Sequence, residues 1–259
     1  MVGRLDDLKG QTLVAFVTVN GGIDASGSLR EELQTLEGAG DALAKLAAQR
    51  TQVLRDYDTA AQALSKSRAS TAKKLGKAVS ELMGELGMAG GSFAVDLQPQ
   101  PGDEPDAQGR ERCEFTVSAN PGMPLRPLRR VASGGELSRI ALAIEVAALG
   151  ADATGTMVFD EVDAGIGGAV AETVGAKLRA LGSRCQVLCV THLPQVAAQG
   201  HAHLHVAKSI EDKSTRTHIA ALDAKGRNEE LARMLGGVEI DREARAHAKK
   251  MLEKAGARD

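Results

Sequence analysis

Thr156-Met157-Val158-Phe159-Asp160-Glu161-Val162-Asp163-Ala164-Gly165 is the stretch that decides the fold. Its first four residues form a short apolar run, the habit of a buried strand in a parallel α/β sheet. The run stops at two adjacent acids, and ligands of open α/β sheets gather beyond the carboxyl ends of the strands. One carboxylate at such an edge can hold Mg2+, and a second beside it can orient or deprotonate a water molecule. Many surface strands also end in acids, so the flanking sequence has to discriminate.

On the N-terminal side, Ser133-Gly134-Gly135-Glu136-Leu137-Ser138-Arg139 opens an amphipathic helix over about 135–149, with Leu137, Ile140, Ala141, Ile144 and Val146-Ala147 on its apolar face. Two glycines let backbone come close to a ligand, and the free N–H groups of a helix start favour a phosphate. Ser133 adds a hydroxyl donor, although Ser-Gly-Gly alone serves equally as an N-cap before a core helix. On the C-terminal side, a helix over about 168–181 leads to a second buried strand, Gln186 to Val190, which ends at Thr191-His192. A single His in that place is more often structural than a phosphate contact. A short helix follows, then an antiparallel pair (203–208 and 214–221) and two terminal helices. Upstream, strands at Phe93–Leu97 and Arg112–Ser118 flank a Pro/Gly/Asp loop, and Asn120-Pro121-Gly122 turns the chain. Strands alternating with helices predict a three-layer α/β domain over 87–259, with a largely parallel sheet and flanking helices.

Before this domain the periodicity changes. Alternating steps of four and three residues from Leu29 reach Leu33, Leu36, Gly40, Leu43, Ala47, Arg50, Leu54, Tyr57, Ala61, Leu64, Arg68, Thr71, Leu75, Ala78 and Leu82, with only Arg50 and Arg68 charged. A repeat of about 3.5 residues sustained so long predicts a coiled-coil helix over 29–86, roughly 85 Å long if unbroken. The alternative is two shorter bundle helices broken at Gly38-Ala39-Gly40. A lone coiled-coil helix needs a partner, and no other segment here has the length. Residues 1–28 are irregular: Leu13–Val19 resembles a short strand before a turn at Asn20-Gly21-Gly22.

Composition sets outer limits. A net charge of -2 excludes a strongly basic nucleic-acid binder, and 2% aromatic residues argue against a base-stacking surface. Any DNA contact would come from a local patch, such as Arg126, Arg129 and Arg130, or from other parts of an assembly; a solvated face is the simpler account of those arginines. Three cysteines without a CxxC suit a reducing, cytoplasmic setting, and no apolar run approaches the length of a membrane span. Cys185 and Cys189 share a strand face and read as buried thiols rather than zinc ligands. His201, His203 and His205 alternate, but lack the further acid or thiol ligand expected of a metal site.

The motifs occur in a fixed order within residues 133–192: SGGELSR, helix, VFDEVDAG, helix, CVTH. That order resembles the second half of an ABC-type ATPase head, namely signature motif, Walker B with catalytic Glu, D-loop and His switch. VASGGELSRIALAIEVAAL, FDEVDAGIGGAVAETVG, RCQVLCVTHLPQVAAQGHAH and EELARMLGG narrow the resemblance to the RecN family of bacterial DNA-repair proteins in the SMC/ABC class. It covers about residues 29–259, whereas Lys9–Gly27 departs from the helical sequence expected there.

The resemblance implies ATP and Mg2+, with Asp160 supporting the metal, Glu161 acting as general base and His192 reaching the γ-phosphate. It implies that Ser133, Gly134 and Gly135, with Glu136 and Arg139 of the signature helix, serve ATP seated on an opposing head. Asp163 would be the D-loop residue that communicates across the dimer. No Walker A is present: Gly76-Lys77 is followed by Ala78, lies within the heptads and has no Gly five residues earlier. In the family that loop lies in the N-terminal half, so the chain reads as a C-terminal fragment or a truncated product. The implied partners are an N-terminal lobe with Walker A, a second head and DNA, with no membrane. The implied function is half of an ATP-driven machine acting at DNA double-strand breaks, in the cytoplasm and at the nucleoid. The alternatives are a non-catalytic scaffold and the head subunit of another SMC or ABC ATPase.

Overall fold

The computed structural model describes residues 27–102, 104–131, 133–148, 155–211, 214–236 and 240–256. The expected strand at Leu13–Val19, and the irregular segment it belongs to, lie outside the described residues. Helix α1 runs Gly27–Glu85 without interruption, so Gly38 and Gly40 do not divide it. Each glycine costs a helix about 1 kcal/mol relative to Ala, which a long run of Leu, Ala, Lys, Arg, Gln and Glu offsets. The described residues fall into two compact units, one reaching to Ser65 and taking in Gly102–Arg110, the other comprising Lys66–Pro101 and Glu111 onward.

In the first unit the Tyr57 hydroxyl accepts the Asp106 N–H at 3.2 Å, and Arg110 pairs with Asp58. Leu36 and Leu43 of the apolar seam are exposed, whereas Leu54 and Tyr57 are half-buried and Ala61 is buried.

In the second unit the end of α1 enters the core; Leu75 and Leu82 of the heptad seam pack against it, but the fully buried stripe lies beside that seam. Val79, Met83 and Leu86 are fully buried, one position on from the predicted Ala78 and Leu82. An ordinary helix turns every 3.6 residues, so without a coiled-coil partner to hold the 3.5 repeat its apolar face drifts. Gly87, at φ +86, closes the helix, and the Met88 N–H reaches back to the Met83 carbonyl at 2.9 Å.

Strand β1 (Ser92–Pro99) pairs antiparallel with β2 (Glu111–Ser118), and β2 with the short β3 (Arg126–Pro127), which the sequence pattern did not reveal. The Ser80 hydroxyl of α1 accepts the Phe93 N–H at 2.9 Å and so fastens helix to sheet. Helix α2 (Gly134–Ala147) leads to β4 (Thr156–Phe159), α3 (Gly168–Gly182) and β5 (Gln186–Cys189). Beyond these lie α4 (Pro194–Ala197), the hairpin β6 (Leu204–Glu211) and β7 (Ser214–Ala221), then α5 (Ala224–Gly236) and α6 (Arg242–Gly256). Among the described residues parallel pairing is confined to β4 and β5, the two strands joined by a helical crossover.

The main core gathers Val79, Met83, Ile140, Leu142, Val162, Val174 and Leu181, while a smaller one joins Ala197, Leu231, Ala232 and Ala248. Strands β4 and β5 depart from expectation. Their apolar runs predict burial, yet Val158, Leu188 and Val190 are exposed. Only the Phe159 and Val187 side meets the core, because nothing among the described residues covers the opposite face.

Met83→Ala is expected to cost about 2–5 kcal/mol in urea unfolding, the usual range for emptying a packed site. Leu43→Ala, on the exposed part of the seam, should stay within about 0.5 kcal/mol of the parent in monomeric protein. Equal losses at the two positions would contradict this division of the helix.

Candidate functional site

The parallel register sets Phe159 against Cys189, and the Val190 N–H extends the ladder to the Phe159 carbonyl at 3.0 Å. The two strands therefore end side by side, with Asp160 beyond one and Thr191-His192 beyond the other. The start of α2 lies at the same edge, held by the Ser138 hydroxyl donating to the Asp160 carbonyl at 2.7 Å. An added Cβ at Gly134 would collide with Glu161 Oε2, so the glycine is what lets the carboxylate sit against the helix terminus.

Glu161 carries φ +56, the one non-glycine residue with positive φ among those described. A left-handed conformation costs an L-residue roughly 1–2 kcal/mol and persists where surrounding contacts impose it. The imposing contacts are local. Asp160 Oδ1 accepts the Glu161 N–H at 2.9 Å, and the Glu161 carbonyl accepts the Ala164 N–H at 3.0 Å. Asp160 and Glu161 are both exposed, as a pair that meets a ligand must be.

Asp163 differs from them. Its side chain is 3% exposed, and Oδ2 accepts the Thr191 hydroxyl and the His192 N–H, the latter at 2.9 Å. The same oxygen lies 3.2 Å from Nδ1 of His192, whose side chain is 73% exposed. A proton on Nδ1 directed at the carboxylate leaves Nε2 facing outward. Thr191 and Ser138 were not singled out from the sequence. Their signal was slight: a hydroxyl beside a strand-terminal His, and another one helical turn after Gly134.

Ser133 is the N-cap of α2, its hydroxyl oxygen accepting the Glu136 N–H at 3.3 Å. Capping uses a lone pair and leaves the O–H free to donate, so the cap and a phosphate contact are compatible. Glu136 in the first turn complements the helix dipole. Gly135 is buried beside Ala164. Arg139 is 6% exposed, and its Nη1 donates to the carbonyls of Ala164 at 2.8 Å and Val162 at 3.5 Å. Burial lowers its pKa, with nearby Glu136 working in the opposite sense. Ser133 to Glu136, Arg139, Asp160, Glu161, Asp163 and His192 thus collect at one sheet edge.

The remaining candidates lie elsewhere. Cys185 precedes β5 and Cys189 ends it. His203 and His205 lie beside Glu230, with His205 Nε2 at 3.9 Å, and burial lowers the His203 pKa, aided by Arg227. Among the described residues no group of three or more His, Cys, Asp or Glu is arranged to hold a metal ion. No helix described is long and apolar enough to cross a membrane.

The chain is 57% identical over 194 residues to the DNA repair protein RecN of Xylella fastidiosa, a match covering 75% of this chain. It is 43% identical to RecN of Vibrio cholerae over 87% of this chain, and 32% identical to RecN of Bacillus subtilis over 97%. The chain belongs to the RecN family. No protein-family model matches it. It spans 35%, 40% and 46% of those three RecN proteins respectively, less than half of each. Among solved structures it resembles the Smc head domain with a coiled coil and joint from Pyrococcus yayanosii, with a TM-score of 0.53, 19% identity and coverage of 88% of this chain and 38% of that one. The fold is thus that of an SMC-type head lobe preceded by a coiled-coil helix, on which the RecN motifs are arranged.

Within this site, burial, then Asp163 and Asp160, push the Cys189 thiol up to about 12 from 9.0. Native protein at pH 8 should therefore react with a thiol reagent at exposed Cys113, while Cys189 waits for unfolding. The linkage has a definite sign: the unfolded chain loses this proton first, so the contribution is complete below about pH 9 and lost as pH rises toward 12. Labelling of Cys189 at the Cys113 rate would contradict the assignment.

Proposed function

We propose that this RecN-family chain supplies the catalytic half of a composite ATPase site and that the assembled protein uses ATP in DNA double-strand-break repair. What carries the proposal is the approach of the Glu161 carboxylate to Gly134 at the start of α2, beside Asp160, Asp163 and His192. An acid-rich strand end facing a helix N-terminus suits a nucleotide phosphate whose charge is shared with a divalent cation.

The donor set fits Mg2+, which prefers oxygen ligands and keeps several waters: Asp160 is exposed and oriented by the Glu161 N–H. When bound, the ion would neutralise charge on the phosphate oxygens. Glu161 accepts a proton from the attacking water. Asp163 fixes the His192 ring so that Nε2 is directed outward, where it would meet the γ-phosphate. Ser133, Gly134 and Gly135 offer hydroxyl and N–H donors to the γ-phosphate of ATP on a second head, with Glu136 part of that signature turn. ATP itself must be seated by an N-terminal lobe that carries Walker A, since none occurs in this sequence. The bare face of Val158, Leu188 and Val190 favours such a covering lobe. The same bare face would also serve a second reading, a scaffold half-head that docks without chemistry.

The decisive experiment joins the chain to an N-terminal lobe carrying Walker A. Glu161→Gln should leave ATP binding intact and slow hydrolysis by at least about a hundredfold, the scale of losing a general base. The ATP-bound head dimer should also last longer, because opening follows cleavage. Unchanged turnover both here and in Ser133→Arg would refute this chain's part in catalysis and leave the scaffold.

Ser133→Arg should instead block head dimerisation while ATP still binds. Mixed with a Walker A mutant, it should restore one composite site per dimer, up to roughly half the activity of a competent dimer. Absence of rescue would leave cis-only or coupled sites in place of independent sites formed in trans.

A further inference from the structure

We propose that Arg139 is a positioning residue that clamps the turn carrying Asp163 onto the first turn of α2, rather than a nucleotide contact. The clamp couples the Ser133-Gly134-Gly135 end to the orientation of His192. Its functional consequence rests on the ATPase reading above, but the clamp itself does not.

The geometry is specific. Nη1 donates to the carbonyls of Val162 and Ala164, the two residues that bracket Asp163. Ser138, one position earlier on α2, holds the Asp160 carbonyl. One helix therefore grips the turn at three alternate carbonyls, 160, 162 and 164. Gly135 brings the surfaces into contact: an added Cβ would lie 2.9 Å from the Ala164 Cβ, 3.0 Å from its oxygen and 3.2 Å from Arg139 Nη1. From the clamped turn Asp163 reaches across to the Thr191 hydroxyl and to His192 through both its N–H and Nδ1. A displacement of the α2 start is thereby passed to the carboxylate that orients the imidazole.

Arg139 is poorly suited to other roles. At 6% exposure its guanidinium cannot meet a ligand without leaving the site it fills. As a purely structural residue it is an uneconomical choice, since Nε is buried without a protein partner. Burying a cation beside unmet donors opposes stability, and an apolar side chain of similar volume would fill the space at lower cost. The feature an apolar side chain lacks is the donor directed at the two carbonyls.

The test uses Arg139→Met and Arg139→Lys, with two readouts. The first is amide hydrogen exchange of this chain without nucleotide. Arg139→Met should speed exchange across 160–167 by at least about tenfold and leave β4 and α3 at parent rates, with Arg139→Lys in between. The second is steady-state hydrolysis in the protein joined to its N-terminal lobe. Arg139→Met should lower kcat by at least about tenfold while KM for ATP stays within about twofold, and Arg139→Lys should recover most of the loss. Unaltered exchange in 160–167 would overturn the clamp, as would a KM increase at constant kcat, which would make Arg139 a nucleotide contact. Faster exchange throughout the lobe, with Lys no better than Met, would make Arg139 merely structural. If Arg139→Met does not fold, the Lys variant decides alone, because the clamp requires its exchange to rise in 160–167 and nowhere else. Parent protein that hydrolyses no ATP would refute the ATPase reading, whereas the exchange result would still judge the clamp.

Discussion

Asp163 holds one buried carboxylate between two strand ends, and the geometry of the site depends on it. Two parallel strands joined by a helix bring their carboxyl ends together but do not determine the path of the chain beyond either end. The turn after β4 is short and carries three acids, which repel one another and would be solvated if free. Burying the third against Thr191 and His192 gives its charge three donors and keeps the turn folded back under the first two. A charge sunk this deeply is tolerable only because it is hydrogen-bonded so fully.

The consequence is a division of labour among carboxylates that composition could not foretell. Asp163 is consumed internally, Asp160 is oriented by a backbone N–H, and Glu161 is turned into the left-handed region to face Gly134. The strain at Glu161 is modest, and it lies at the residue whose direction matters most to the chemistry proposed for the site. Residue types of equal charge thus acquire different surroundings, as the chemistry proposed for this edge requires: a carboxylate for a cation, one for a proton and one to orient an imidazole.

Each unit also exposes apolar surface that a free-standing lobe would be expected to bury. In the first it is the Leu36 and Leu43 part of the α1 seam; in the second it is the outer side of β4 and β5. Both accord with a chain that spans less than half of its RecN relatives. The buried stripe of α1 shows the transition within one helix. Where a core is present, the fully buried Val79, Met83 and Leu86 lie one position on from the heptad run; where none is present, Leu36 and Leu43 of that run stay exposed.

The elements were legible in the sequence because their signals are local. A heptad run, a short apolar strand and a Ser-Gly-Gly helix start each declare themselves over a few residues, and Thr156–Phe159 and Gln186–Cys189 appear as strands where periodicity placed them, the second ending one residue sooner. The order of the motifs was enough to identify the family. Tertiary structure alone decided how their side chains are used. Arg139 and Asp163 look alike in sequence, as charged residues within ligand-binding motifs, yet both turn inward to hold the frame on which Glu161 and His192 stand. Direction and burial depend on partners 23 to 29 residues away along the chain, as in Arg139 to Val162 and Asp163 to His192, and no local periodicity encodes such separations.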